Sequence, residues 1–173
     1  MIRWGCILIA AELVLGVARA DEAGAKSQQA FAAICSAAID KKADISDIAA
    51  SVQMEPAGGI KDATITFGRS SIRVFNSPAT KQNITITTTS YADAQEIDCR
   101  STVQLPSTRA EFENLAQTMK LDGGVLQVAA VTIGRWKRPG NKPSVFVTML
   151  GTASSSVLTM QRIDFTDSSE EKK

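Results

Sequence analysis

Between Arg135 and Lys142 the sequence Arg-Trp-Lys-Arg-Pro-Gly-Asn-Lys gathers four cations and a tryptophan around a turn signal. Arginine and tryptophan are enriched where partners lock together, so Arg135, Trp136, Lys137, Arg138 and Lys142 form the candidate partner-binding surface. Cations beside an interfacial aromatic also suit a lipid headgroup region, which is the less favoured alternative. The competing structural reading folds Trp136 back onto the core and leaves the cations on a solvated turn. The residues alone leave all three open.

Carboxylates are the other chemistry the chain offers. Glu96 and Asp98 sit two apart on a predicted strand and share a face, Glu111 and Glu113 open a predicted helix, and Asp164 and Asp167 close the last strand. Paired carboxylates can run glycoside hydrolysis without any histidine, provided they line a cleft in which burial keeps one of them protonated. The chain contains no histidine, which removes Ser-His and Cys-His nucleophile pairs, imidazole metal ligands and the near-neutral histidine switch. A Ser-Lys pair is a further histidine-free option for a hydrolase. The segment from Gly151 to Ser156 lacks the lysine of a phosphate-binding loop and leads into a strand, so it reads as a hairpin turn. No EF-hand spacing is present, and no metal or cofactor is implied.

The amino terminus supplies an address. Arg3 precedes an apolar stretch from Trp4 to Val17, interrupted by Glu12 and followed by Ala18-Arg19-Ala20, a small-x-small cleavage pattern. Residues 1–20 are therefore read as a cleaved signal peptide. A membrane anchor needs about 20 apolar residues, which this stretch does not reach. Cleavage removes Arg3, Arg19 and Glu12 and leaves seventeen charges of each sign. Such a balance gives no basic footprint for nucleic acid.

Two cysteines remain after cleavage, Cys35 and Cys99, along with one tryptophan, Trp136. In an exported protein two cysteines most simply pair with each other, and no C-x-x-C spacing points to redox catalysis. Closing a loop of about 65 residues contributes about 4 kcal/mol by the chain-entropy argument.

These residues need elements to position them. Ala30, Phe31, Ile34, Cys35, Ala38 and Ile39 recur at helical spacing over 25–39, and Ile45, Ile48, Ala49 and Val52 predict a second short helix capped by Asp44. Beyond the Pro56 to Gly59 break the texture becomes alternating Thr, Ile, Val and Phe, predicting strands over 63–67, 71–75, 82–88 and 94–105. Pro106 stops the last of these. Thr108 and Glu111 form a capping box before Phe112, Leu115, Ala116 and Met119, with Gly123-Gly124 as the expected stop. Three further strands are predicted over 125–137, 144–150 and 156–165.

With 173 residues, 44% hydrophobic and 21% charged, the chain has the size and composition of one ordinary domain. Segregated strands and helices predict a single α+β domain over 21–166, a mostly antiparallel sheet of about six or seven strands. An N-terminal helical pair and one central helix pack on it, and residues 167–173 form a disordered tail. The expected function is that of an exported, periplasmic or secreted, non-enzymatic binding protein. It would act on another envelope protein, as an inhibitor, immunity factor or assembly accessory does. The alternatives are a small envelope hydrolase using carboxylates or a Ser-Lys pair, and a carrier of an apolar ligand.

Overall fold

In the computed structural model, which describes residues 5–42, 44–104 and 108–165 with side chains from Glu22 onward, the chain forms three helices and nine strands. The helices are α1 (Gly5–Ile39), α2 (Ile45–Ser51) and α3 (Arg109–Thr118). The strands are β1 (Glu55–Pro56), β2 (Lys61–Ile65), β3 (Gly68–Ser77), β4 (Gln82–Tyr91), β5 (Ala94–Val103), β6 (Asp122–Val128), β7 (Val131–Arg138), β8 (Val145–Gly151) and β9 (Ser156–Phe165). The expected tail and the proline stop at Pro106 lie outside the described residues.

All nine strands belong to one antiparallel sheet in the order β1-β3-β4-β5-β9-β8-β7-β6, with β2 also paired to β3. The strands β1 and β2 lie end to end on the same edge of β3: Glu55 faces Asn76, and Lys61 faces Ile72. The element order repeats. In each half a helix leads into an antiparallel meander whose last strand is innermost, and the two innermost strands, β5 and β9, pair from Ala94–Phe165 to Val103–Ser156.

Side chains alternate across a strand, so each strand sends one set toward the helices and the other away. The helix-facing set is apolar at its centre: Phe75, Ile84, Ile86, Ile97, Cys99, Leu158, Met160, Val147, Met149 and Trp136 are all buried. Helix α1 lies across β4, β5 and β9 with Ala30, Phe31, Ile34, Cys35 and Ala38 beneath it, and α3 covers β6 and β7 with Phe112, Leu115 and Ala116. Burying Phe112 alone contributes about 2–3 kcal/mol. Cys35 and Cys99 are bonded, Cα–Cα 5.4 Å apart, joining α1 to the centre of the sheet. Buried Gln82 adds a polar tie, donating 2.8 Å hydrogen bonds to the Ser27 carbonyl and to Ser101 Oγ.

Helix ends follow local chemistry. Thr108 accepts from the Glu111 amide while the Glu111 carboxylate accepts from the Thr108 amide, completing the predicted capping box. Helix α3 closes with Lys120 at φ +52° and a 2.9 Å bond from the Leu121 amide to the Ala116 carbonyl, a Schellman ending built without glycine. Helix α1 ends the same way, with Lys41 at φ +54° and the Lys42 amide bonded to the Ala37 carbonyl. Asp44 makes no side-chain cap on α2.

Three details depart from the sequence expectation. Helix α1 begins at Gly5 and runs without a break past Ala18-Arg19-Ala20. The single strand expected over 125–137 is a hairpin, because the chain reverses at Ala129-Ala130 with Ala129 at φ +52°. Gly123 and Gly124 belong to β6 rather than to the end of α3. The hairpin and the two-residue β1 raise the strand count from six or seven to nine.

Candidate functional site

Alternation along β7 decides the fate of the Arg135–Lys142 cluster. Trp136 and Arg138 face the helices, while Arg135 and Lys137 face the other way and Lys142 stands exposed in the β7–β8 turn. Trp136 is only 4% exposed, and the six-membered edge of its ring lies against Gly134, where a Cβ would fall 1.8 Å from a ring carbon. Arg138 donates one hydrogen bond from each Nη to the two carboxylate oxygens of Asp40, at 3.2 and 3.1 Å, anchoring the β7 end to the end of α1. The five residues therefore do not form one patch. Trp136 and Arg138 position structure, and Arg135 and Lys137 are presented on the uncovered sheet face.

That open face carries a second feature. Leu126, Ile133, Leu150 and Val157 are directly opposite one another on β6, β7, β8 and β9, so their side chains form one row across four strands. Val128 and Val131 form the next pair at the β6–β7 turn, and Phe146 lies opposite Lys137. Leu126 is 62% exposed, Ile133 42% and Leu150 44%. Arg135 lies beside this row on β7, with Gly124 and Thr148 opposite it. A second apolar group, Ile65, Tyr91, Ile163 and Phe165, lies at the other end of the same face on β2, β4 and β9. Isolated exposed apolar residues are ordinary, but Leu126, Ile133, Leu150 and Val157 align into one continuous apolar row across neighbouring strands.

The predicted carboxylates disperse into structural partnerships. Glu111 caps α3, Glu113 pairs with Arg109, and Asp164 pairs with Lys41 and Arg162 at 2.8 and 2.6 Å. Burial pushes the Asp164 carboxyl up, but hydrogen bonds and charge from Lys41 and Arg162 outweigh it and hold the group below the ordinary value. Asp167 lies outside the described residues. Glu96 and Asp98 do share the open face as the spacing requires. Glu96 accepts from Tyr91 Oη and Gln161 Nε2, and the hydrogen bond to Glu96, with minor burial and charge contributions, raises the Tyr91 hydroxyl above its ordinary value. Asp98 is half-buried, and its carboxyl is raised by burial first and by the neighbouring Glu96 charge second, with Arg100 opposing. Neither carboxylate lines any of the four cavities described, the largest of which measures about 450 Å³.

The Gly151–Ser156 segment is a tight turn. Thr152 Oγ1 accepts from the Ser155 amide at 3.1 Å, and the Thr152 amide donates to the Ser155 carbonyl at 2.8 Å. Among the described residues no three Cys, Asp or Glu side chains gather into a metal-binding group, and no helix is long and apolar enough to cross a membrane.

Sequence reading identified Arg135 and Lys137 but not the apolar row beside them. The signal was present: Val145 to Leu150 is apolar at both parities apart from Thr148, which one buried face cannot absorb. Also unread were Lys42 and Arg73, 31 positions apart in sequence and brought to one cavity by the α1–α2 turn and β3. No family model, curated protein or solved structure matches this chain.

Proposed function

We propose that the protein is an exported, periplasmic or secreted, non-enzymatic binding protein whose partner is another envelope protein, held on the open face of the sheet. The observation that carries this reading is the Leu126–Ile133–Leu150–Val157 row with Arg135 and Lys137 beside it. It offers a dry centre and a cationic rim, the anatomy of a protein–protein contact. Rigidity favours the same role. The row sits on hydrogen-bonded strands whose reverse side is covered by α1 and α3, so presenting it costs little ordering entropy. The export half of the proposal rests on the amino-terminal sequence and on the Cys35–Cys99 bond, which suits an oxidising compartment.

The test compares tagged protein beginning at Asp21 with a variant carrying Leu126→Ser, Ile133→Ser, Arg135→Ala and Lys137→Ala. Both are used to capture partners from the envelope fraction, and Arg138 is left intact because it holds Asp40. A stoichiometric envelope protein captured by the first and lost with the second is the expected result. Equal capture by both, or none by either, overturns the assignment.

A further inference from the structure

We propose that the cavity between the α1–α2 turn and strands β3, β4 and β5 binds a small carboxylate with a compact apolar body. The site lies on the helix-facing side of the sheet, away from the open face, and does not depend on the function proposed above. It exists because the helices cover only part of the sheet. Helix α1 stops at Ile39, and β3, β4 and β5 continue beyond it, leaving a hollow of about 360 Å³ walled by the turn that joins α1 to α2. That volume falls within the range of small-molecule sites.

The wall is held firmly. Arg162 Nη1 donates to the Ile39 carbonyl at 3.1 Å, Arg138 grips Asp40, and Lys41 bonds Asp164 at 2.8 Å. Those contacts engage three cations, Arg162, Arg138 and Lys41, and two carboxylates, Asp40 and Asp164. Two cations facing the hollow remain. Lys42 and Arg73 line it, and among the described residues neither side chain has a carboxylate or other hydrogen-bond partner. Arg73 is half-buried on the helix-facing side of β3, opposite Ile86. Its guanidinium nitrogens reach solvent through the mouth of the hollow, and a bidentate carboxylate is the ligand its planar fork fits best.

The rest of the lining sets the body of the ligand. Ser71 and Thr88 place hydroxyl groups on adjacent strands beside Arg73, while Ala38, Ile45, Ile86 and Ile97 give an apolar floor. No carboxylate lines this cavity. An inorganic anion would use the cations and waste the floor, and a neutral hydrocarbon would use the floor and neither cation. A carboxylate on a short aliphatic or aromatic body satisfies both halves.

Calorimetric titration of the protein beginning at Asp21 with butyrate, hexanoate, octanoate and benzoate, each beside its primary amide and beside inorganic phosphate, tests the proposal. Saturable binding of at least one carboxylate is expected, with its amide and phosphate weaker by about tenfold or more. Arg73→Gln should weaken that binding about tenfold and Lys42→Gln by a smaller factor, with the near-ultraviolet circular dichroism unchanged. If Arg73→Gln fails to fold, Lys42→Gln on the exposed turn combined with Thr88→Val decides, by loss or retention of affinity. No saturation below about 10 mM by any carboxylate, equal binding of the amide or of phosphate, or full affinity in the folded variants overturns it.

Discussion

Gly134→Ala tests the packing that divides the cationic cluster. Built on the observed backbone, the new methyl group lies 1.8 and 2.0 Å from two carbons of the Trp136 ring. Relaxed carbon contacts are about 3.5–4.0 Å, so the ring or the strand must move by about 2 Å. Overpacking of this kind costs about 1–3 kcal/mol. Intrinsic preference acts in the opposite direction, since alanine in place of a strand glycine gains about 0.5–1 kcal/mol. The balance is a net destabilisation of about 1–2 kcal/mol. Urea unfolding of the protein beginning at Asp21 measures it directly, because Trp136 is then the sole tryptophan and reports on its own burial. The variant should unfold at lower urea and emit further to the red in the native state. In a Trp136→Leu background the same glycine change should be neutral or stabilising, so the double-mutant cycle isolates the ring contact. A Gly134→Ala protein within about 0.5 kcal/mol of wild type with unchanged emission would refute the packing of the Trp136 ring against Gly134, since that is the span of an uninvolved surface change.

Reducing the Cys35–Cys99 bond, or replacing both residues by Ser, should cost about 4 kcal/mol for a separation of 64 residues, read as a lower urea midpoint. Thr108→Ala removes the side-chain half of the α3 capping box and should cost about 1 kcal/mol, with Thr108→Ser recovering most of it in the same assay. Asp98 gives a pH prediction. Its folded carboxyl titrates above the unfolded value near 3.8, so the folded state is relatively favoured below that pH and loses the advantage as pH rises through the raised value. Asp98→Asn should therefore be more stable than wild type at pH 7, with the difference shrinking as pH falls through the raised value to about 3.8 and levelling off below; a constant difference from pH 7 down to 3.8 would contradict the burial of this group.

The features legible in sequence were those fixed by neighbouring residues or by elimination. The capping box needs only Thr108 and Glu111, and the stripe of α1 needs only 3.6-residue spacing. Pairing Cys35 with Cys99 followed from there being no other partner after the expected cleavage. The reversal at Ala129-Ala130 was invisible because it uses alanine at positive φ where turn chemistry normally places glycine or asparagine. Lysine at the αL end of α3 hid that helix stop in the same way, whereas the end of α1 at Ile39 was read correctly from where its stripe stops; the glycines taken for a stop serve the sheet, Gly123 lying directly opposite Trp136. The cationic cluster was found as a string, but strand alternation divides a string between two faces. Only the register could show that Leu126, Ile133, Leu150 and Val157 align, since they come from four separate strands.

The central claim is that the open face meets a protein partner. Photo-crosslinking in the native envelope tests it most directly, with a benzophenone amino acid placed singly at Ile133, at Leu150 and, on the opposite side of the molecule, at exposed Gln117 of α3. The account predicts one discrete protein adduct shared by Ile133 and Leu150, absent from Gln117, and lost when Arg135 and Lys137 are replaced by alanine. The same adducts from all three positions, or none from the open face, would contradict it.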